Sequence, residues 1–294
     1  MADRQQIRVL VTGGTGQLGL SLKKTQPESF SVSYAAKATL NIEDSDTVET
    51  YVKNNKPNVI INAAAYTKVD LAEKEKDAAF AANEKAVANL AQAAKKHGAF
   101  LVHISTDFLF HGSFNRPIDE NQMVQPIGIY AQSKAAGERA VAESGAPAAI
   151  VRTSWLYSEF NANFMKTMLR LGREKSELRV IADQHGSPTY AVDLARALWQ
   201  LVSAPQANAG TPEIFHFSNY GVTTWYDFAC AILELAAIET PVLPILTHEY
   251  PVPTPRPAYS ALWPRKFSER FQWPVRHWRR ALSEAISEHK ILEG

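Results

Sequence analysis

The sequence is poor in cysteine and has no long hydrophobic run. Its one thiol, Cys230, excludes a disulfide within the chain and fits a reducing compartment. No apolar stretch approaches the length that crosses a bilayer, and the N-terminal residues lack the apolar core of a secretory signal. We therefore expect a cytoplasmic protein with no membrane partner. Cys230 lies in an apolar helical pattern, and we interpret it as a buried structural thiol.

Neither sign of charge is in excess. The chain carries 31 basic and 30 acidic residues, so its formal net charge is +1. Because no long basic run occurs, neither nucleic acids nor anionic membranes are implied as partners. The His, Cys, Asp and Glu residues show no metal-ligand spacing, so we expect no metal site. A chain of 294 residues, 46% of them hydrophobic, is nevertheless long enough to form a large core.

Strands and helices alternate in the first half of the chain. Short apolar runs predict buried strands, and a helical pattern follows each of them. The predicted strands are residues 7–12, 30–34, 58–62, 100–105 and 148–153. This alternation is typical of α/β proteins with a Rossmann-type, doubly wound parallel sheet.

After residue 154 the alternation ends. Helical stretches, separated by loops rich in proline and aromatic residues, predict a smaller C-terminal substrate lobe that is interleaved with the first lobe. We expect residues 1–154, joined by 185–205, to form a dinucleotide-binding lobe. Residues 155–294 are expected to form mainly the substrate-binding lobe.

A glycine-rich turn, VTGGTGQLG at residues 11–19, directly follows the first strand and opens the first helix. Glycines three residues apart permit a tight turn, a close backbone approach to a pyrophosphate, and close packing of the helix on the sheet. The helix N-terminus also offers free N–H groups to an anion. The turn therefore predicts a dinucleotide site formed by Gly13, Thr15, Gly16, Gln17, Leu18 and Gly19.

The end of the second strand bears on which dinucleotide binds. NAD-binding folds usually place a carboxylate there, on the ribose hydroxyls. This chain has Ala35 and Ala36 followed by Lys37, and a cation suits a 2′-phosphate. The sequence thus favours NADPH, with Lys37 as the phosphate contact, and NADH remains the alternative.

Tyr130 and Lys134 lie one helical turn apart in PIGIYAQSKAAGERAV, residues 126–141. Reducing a carbonyl needs a proton donor beside the developing alkoxide. A unit charge about 4 Å away supplies on the order of 4 kcal/mol at an effective dielectric of about 20, enough to lower a tyrosine pKa by roughly 3 units. Lys134 is therefore expected to lower the pKa of Tyr130. A group that orients the carbonyl oxygen is expected among Ser105, Thr106 and Asp107, at the carboxyl end of the fourth strand.

Taken in order, the glycine turn, NAAAYT, STDFLF and Tyr-x-x-x-Lys resemble the extended short-chain dehydrogenase/reductases. The second half is similar to one family among them, the dTDP-4-dehydrorhamnose reductases, in segments that other extended members do not share. These segments are RTSWLY (152–157), NFMKTMLRLG (163–172), ADQHGSPTY (182–190), TTWYDFA (223–229) and PTPRPAYSAL (253–262).

This resemblance implies that NAD(P)H reduces the C4 keto group of dTDP-4-dehydro-6-deoxy-L-mannose to give dTDP-L-rhamnose. It implies that Tyr130 is the proton donor, that Lys134 also binds the nicotinamide ribose, and that Thr106 hydrogen-bonds the keto oxygen. Further cofactor contacts are implied at Asn41, Ile42, Ala63, Ala64, Ala65 and Tyr66. Substrate contacts are implied at Thr67, Asp107, Phe108, Trp155 and Arg256, with Trp155 on the sugar and Arg256 on the diphosphate.

Two other interpretations remain open. The chain could be a related nucleotide-sugar reductase or epimerase, or a non-catalytic protein similar to the regulatory subunit of methionine adenosyltransferase. Some family members dimerise around a metal held by a glutamate just past the last glycine, where this chain has Leu20 and Ser21. We therefore expect no such metal, and both monomer and homodimer stay open. His103 and His216 are interpreted as core residues.

Overall fold

The computed structural model describes residues 6–204 and 210–293, so the ends of the predicted segments 1–154, 185–205 and 155–294 lie partly outside it. The strands are β1 Ile7–Thr12, β2 Phe30–Ala35, β3 Val59–Asn62, β4 Phe100–Thr106, β5 Ala148–Thr153, β6 Leu156–Tyr157, β7 Leu178–Ile181, β8 His185–Gly186, β9 Thr189–Tyr190, β10 Glu213–His216, β11 Thr223–Thr224 and β12 Val242–Ile245. The helices are α1 Gln17–Lys24, α2 Ser45–Asn55, α3 Val69–Ala72, α4 Lys76–Phe80, α5 Ala86–His97, α6 Gly128–Ser144, α7 Phe164–Glu174, α8 Ala191–Ser203, α9 Trp225–Ala236, α10 Arg265–Phe271 and α11 Trp278–Glu293. A π-helical segment, Ala81–Lys85, joins α4 to α5.

Six of the described strands form one parallel sheet in the order β10-β5-β4-β3-β1-β2. The chain runs outward from β1 to β2. It then returns to the other side of β1 and continues through β3, β4 and β5. The predicted α/β fold with a Rossmann-type, doubly wound parallel sheet is therefore confirmed.

Helices cover both faces of this sheet. On one face α1 and α8 pack against side chains such as Val9 and Val11. On the other face α2, α5 and α6 pack against side chains such as Leu10 and Ile60. Successive residues of β1 serve opposite faces because strand side chains alternate in direction. Burial on both faces explains why the strands are apolar runs without a polar repeat.

A separate apolar cluster lies outside the sheet. It joins α7, α9 and α11 to the parallel pair of strands β7 and β12. Its buried side chains include Met168, Phe228, Ile232 and Leu282. This cluster gives the second part of the chain a core of its own.

Two features differ from expectation. The strand-like run around His216 was not placed in the predicted sheet, because it lies among second-lobe helices, yet it forms β10 and pairs in parallel with β5. Cys230 is half-buried rather than buried, since the buried face of α9 carries Phe228, Ala229 and Ile232 instead. The division into lobes remains a proposal. None of the described helices is long and apolar enough to cross a membrane.

Both histidines interpreted as core residues are fully buried. His103 Nδ1 lies 3.2 Å from Asn62 Nδ2, and His216 Nδ1 lies 2.9 Å from the carbonyl oxygen of Ile118. That interpretation is confirmed.

Candidate active site

The glycine turn lies where the strand order of the sheet reverses. The turn follows β1, and residues 63–66 follow the neighbouring strand β3. Since β2 lies on one side of β1 and β3 on the other, a crevice opens at the carboxyl ends of β1 and β3. Open α/β sheets bind their ligands in such a crevice. The structure thus brings together the two predicted cofactor segments.

Gly13 and Gly19 occupy places where no side chain fits. Gly13 has a φ of +68°, and a Cβ atom there would lie 2.8 Å from the carbonyl carbon of Ala63. A Cβ atom at Gly19 would lie 2.4 Å from the carbonyl oxygen of Gly13. The N-cap of α1 is Gly16, which has no side chain to satisfy the first N–H groups of the helix. The turn therefore presents bare backbone and a free helix N-terminus, and both fit a pyrophosphate.

Two residues of the turn direct their side chains away from it. Leu18 packs into the core beside the sheet, and Gln17 donates a hydrogen bond of 3.2 Å to the carbonyl oxygen of Leu156. Thr15 is exposed. Leu18 can therefore serve a phosphate only through its backbone N–H group.

A cavity of about 360 Å³ opens beside the end of β2. Six of the predicted cofactor residues line it: Lys37, Asn41, Ile42, Ala64, Ala65 and Tyr66. Glu43, which sequence reasoning did not include, lines the same cavity. Its Oε1 lies 2.7 Å from Nζ of Lys37. The proposed 2′-phosphate contact is therefore paired with a carboxylate.

Thr106, Tyr130 and Lys134 are all buried around the carboxyl end of β4. Thr106 is the last residue of β4, and its hydroxyl donates to Asp107 Oδ1 at 3.2 Å. Tyr130 and Lys134 both belong to α6. Nζ of Lys134 donates to the carbonyl oxygen of Ile104 at 2.7 Å. The predicted catalytic residues therefore come together in one place.

Burial raises the pKa of Tyr130 to about 12, a shift that the Thr106 side chain opposes and the charge of Asp107 increases. Burial lowers the pKa of Lys134 to about 8, opposed by the charge of Glu138. The pKa of Tyr130 is therefore raised rather than lowered as expected, because burial outweighs any stabilisation of the phenolate in this structure, where the Lys134 ammonium group donates to a backbone carbonyl oxygen. The phenol is thus protonated at neutral pH, as a proton donor must be.

Asn83 joins the loop of residues 63–66, which follows β3, to α6. This buried residue of the π-helical segment accepts a hydrogen bond from the Tyr66 N–H at 2.9 Å and donates to the Tyr66 carbonyl oxygen at 3.0 Å. It also donates to Ser133 Oγ at 3.0 Å. Ser133 lies between Tyr130 and Lys134, so Asn83 sets the loop and the helix in a fixed relation.

A cavity of about 700 Å³ lies between the end of β4 and the second lobe. Three predicted substrate residues line it: Phe108, Trp155 and Arg256. The Phe108 ring meets the Tyr130 ring edge-on, with 5.5 Å between their centroids. Of the other two predicted substrate residues, Asp107 is buried and Thr67 is exposed. Burial raises the pKa of Asp107 to about 6.

Trp155 forms a flat aromatic wall of this cavity. It has a φ of +46° and stacks on Trp225 with 3.5 Å between ring centroids and 9° between planes. A Cβ atom at Gly186 would lie 2.3 Å from the Trp155 ring, so only glycine fits beneath it. Such a wall suits the face of a sugar or a base.

Arg256 faces the cavity beside an acidic partner. Its Nη2 lies 2.7 Å from Asp70 Oδ2, and its guanidinium carbon lies 5.6 Å from the Phe108 ring centroid. Arg256 Nη1 and Asp70 Oδ1 are buried and have no hydrogen-bond partner among the described residues. A guanidinium N–H without a partner suits an oxygen of a phosphate.

Sequence reasoning missed Glu43, Asp70, Asn83 and Trp225. Trp225 stands in TTWYDFA, one of the segments that carried the family resemblance, and this was the one available signal for it. Asp70 likewise stands in NAAAYTKVDLAEKE (62–75), which is also similar to the family, whereas Glu43 and Asn83 are polar residues within helical or loop patterns. Only the folded chain places them at the site.

The site and the fold together define a class of protein. A dinucleotide crevice at the reversal of a doubly wound sheet, with a buried tyrosine and lysine from one helix beside it, belongs to the NAD(P)-dependent short-chain oxidoreductases.

Comparison with known proteins defines the family. A family model described as the RmlD substrate binding domain matches residues 7–291. The spore coat polysaccharide biosynthesis protein SpsK of Bacillus subtilis is 42% identical over 96% of this chain and 97% of its own length. The dTDP-4-dehydrorhamnose reductase of Aggregatibacter actinomycetemcomitans is 39% identical over 94% of this chain and 97% of its own.

A solved structure agrees with these relatives. The crystal structure of dTDP-4-dehydrorhamnose reductase from Bacillus anthracis in complex with NADP has a TM-score of 0.92 and 38% identity, covering 97% of this chain and all of that one (100%). The chain therefore belongs to the RmlD family, the dTDP-4-dehydrorhamnose reductases among the extended short-chain dehydrogenase/reductases.

Proposed function

We propose that the protein reduces the C4 keto group of dTDP-4-dehydro-6-deoxy-L-mannose with NADPH and so forms dTDP-L-rhamnose. The observation that carries this proposal is the position of Phe108. Its ring contacts Tyr130 and lies beneath the guanidinium group of Arg256. Phe108, which lines the 700 Å³ cavity together with Arg256, therefore lies between the proposed proton donor and an anion-binding group. A keto sugar bearing a diphosphate needs groups of both kinds.

The chemistry divides between cofactor and protein. A bound nicotinamide supplies a hydride to the carbonyl carbon. Tyr130, which burial keeps protonated, donates its proton to the keto oxygen. Thr106 leaves Asp107 and donates its hydroxyl hydrogen bond to the same oxygen. The ammonium group of Lys134 stabilises the negative charge that remains on the phenol after proton transfer.

Two further groups hold the substrate in this proposal. Arg256 donates to a diphosphate oxygen through its unpartnered N–H group, and Trp155 packs on the sugar. On the cofactor side, Lys37 contacts the 2′-phosphate, and the NADP-bound relative from Bacillus anthracis supports NADPH as the cofactor. The cytoplasm is the proposed site of action.

The test is an assay of cofactor oxidation with the keto sugar, run with NADPH and with NADH, in which the product is identified by NMR. We expect one cofactor oxidised for each dTDP-L-rhamnose formed. Isomerisation without net oxidation would assign an epimerase, and a product of other stereochemistry would assign a different reductase. No turnover, together with stoichiometric recovery of a methionine adenosyltransferase, would assign a regulatory subunit.

A further inference from the structure

Gln17, the first residue of α1, reaches across to the second half of the chain. Its Nε2 donates to the carbonyl oxygen of Leu156 at 3.2 Å. Its Oε1 accepts from Ser158 Oγ and from Asn163 Nδ2, each at 2.9 Å. Both lone pairs of the side-chain carbonyl are therefore in use. These bonds span 139 to 146 positions of sequence.

Other contacts place the whole segment 156–163 along α1. Asn161 Nδ2 donates to the carbonyl oxygen of Thr15, within the glycine turn, at 3.0 Å. Asn161 has a φ of +52°, in the left-handed region where asparagine is enriched. Lys24 Nζ, at the last residue of α1, lies 2.6 Å from Oε1 of the buried Glu159. The segment is thus held from the first residue of α1 to its last.

This segment also joins two walls of the 700 Å³ cavity. Trp155 precedes it, and α7 follows it. Asn163 is the N-cap of α7, because its Oδ1 accepts from the Lys166 N–H at 3.1 Å. The α7 side chains that line the cavity are Phe164, Thr167, Met168 and Leu171. Asn163 therefore uses its oxygen on the wall helix, and its nitrogen donates to Gln17 and, within the segment, to the carbonyl oxygen of Ser158 at 2.7 Å.

We propose that Gln17 is a positioning residue: its side chain aligns the walls of the substrate cavity with the cofactor turn and does not bind the cofactor. In this proposal the backbone N–H groups of the first turn of α1 bind the pyrophosphate. The side chain of Gln17 fixes the positions of α7 and Trp155. The inference rests on the proposed function, since the aligned partners are the proposed nicotinamide cofactor and the proposed nucleotide sugar. It assigns the Gln17 side chain a role different from the cofactor contact predicted above.

The experiment compares three variants of the full chain. Gln17→Met keeps the length of the side chain and removes all three hydrogen bonds. Asn163→Ser keeps an N-cap hydroxyl for α7 but cannot donate to Gln17. Gln26→Met is the matched control: Gln26 follows α1, and its side chain donates to the Phe30 carbonyl oxygen and accepts from the Tyr34 hydroxyl, so its hydrogen bonds among the described residues stay on the β2 side.

Three quantities are measured for each variant: NADPH affinity by fluorescence, dTDP affinity by calorimetry, and kcat and KM for the keto sugar. We expect Gln17→Met and Asn163→Ser to keep NADPH affinity within about 2-fold, to weaken dTDP binding by about 5-fold or more, and to lower kcat/KM by about 10-fold. Gln26→Met should match the wild-type protein in all three. A fall of NADPH affinity with dTDP affinity unchanged would overturn the proposal, as would Gln17→Met behaving like Gln26→Met.

The binding measurements separate this proposal from the proposed function. If the wild-type protein binds NADPH and dTDP but does not reduce the keto sugar, the proposed function fails. The dTDP and NADPH affinities of the variants then still decide whether Gln17 positions the cavity.

Discussion

Lys134 donates a hydrogen bond from Nζ to the carbonyl oxygen of Ile104 at 2.7 Å. This bond joins α6, which carries Tyr130, to β4, which ends in Thr106. It also fixes a buried cation behind the proposed proton donor. The cation is therefore part of the support of the site as well as a charge within it.

The first prediction concerns the charge of Lys134. Burial lowers its pKa to about 8, so the ammonium group loses its proton within the range of an ordinary assay. If that charge stabilises the phenolate, kcat should decline as the pH rises above about 8. Lys134→Met should be slow at every pH and should not show this decline.

Rates are to be measured at saturating keto sugar and NADPH between roughly pH 6.5 and 10. This range extends to both sides of the Lys134 pKa of about 8. Lys96→Met, which removes an exposed lysine of α5, serves as the control and should keep the wild-type profile. A wild-type kcat that stays level through the whole range would show that the Lys134 charge is not needed.

A second prediction follows from Asp107. Burial raises its pKa to about 6 in the folded protein from an ordinary value of 3.8. Between these two values the folded state binds more protons than the unfolded state, so the free energy of unfolding falls as the pH rises from about 4 to about 6. An Asn at position 107 does not titrate, so Asp107→Asn does not show this fall in unfolding free energy. The fall amounts to up to about 3 kcal/mol, at about 1.4 kcal/mol per pKa unit.

Urea unfolding at several pH values checks this prediction. The difference in unfolding free energy between Asp107→Asn and the wild-type protein should grow in favour of the variant as the pH rises from 4 to 6, and should be level above 6. Asp46→Asn removes one exposed carboxyl group as a control. If the difference in unfolding free energy between the two proteins does not change with pH, the Asp107 carboxyl group is more solvated than the structure shows.

The third prediction concerns the choice of cofactor. Glu43 pairs with Lys37 at 2.7 Å and lines the same cavity, so its carboxylate competes with a 2′-phosphate for the lysine. Glu43→Gln should raise the ratio of kcat/KM for NADPH over NADH by about 2- to 5-fold, a size in keeping with an exposed ion pair. Lys37→Gln should lower the same ratio.

Binding of 2′,5′-ADP and of 5′-AMP, measured by calorimetry, gives a readout without turnover. Only the 2′,5′-ADP affinity should increase in Glu43→Gln, and the increase should shrink at high salt. Glu49→Gln, which removes a carboxylate paired with Lys96 at 2.7 Å on α5, is the control. Equal effects on both nucleotides would mean that Glu43 does not act on the 2′-phosphate.

The parts of this fold that the sequence predicted are those that depend on neighbours in the chain. A strand, a glycine turn and the following helix lie within residues 7–24, so their spacing alone predicts the first half of the cofactor site. Tyr130 and Lys134 are likewise close in sequence. The place of β10 in the sheet could not be predicted in this way, because it depends on pairing with β5, which is distant in sequence.

The parts that could not be predicted depend on where distant residues meet. The pKa of Tyr130 is raised instead of lowered because the fold buries the phenol beside Thr106 and Asp107, which lie on other elements. Asp70 became visible only through Arg256, 186 positions further along the chain. Gln17 was expected at the cofactor as part of the glycine turn, and its side chain meets Asn163. In each case contacts between residues far apart in sequence determine the role of the residue, and the sequence pattern does not show such contacts.

The central claim is that Tyr130 donates the proton to the keto oxygen. Tyr130→Phe keeps the ring, and with it the edge-on contact to Phe108, and removes only the hydroxyl group. Tyr51→Phe, which changes a half-buried tyrosine of α2 packed against the apolar cluster that includes Leu10 and Ile60, controls for the loss of a phenol elsewhere.

The decisive measurement is kcat for NADPH-dependent reduction of dTDP-4-dehydro-6-deoxy-L-mannose by Tyr130→Phe, with NADPH affinity measured alongside. We predict a loss of about 10²- to 10⁴-fold in kcat, with NADPH affinity within about 2-fold of the wild-type value. Full kcat in Tyr130→Phe would contradict the account, because the proton would then come from another group.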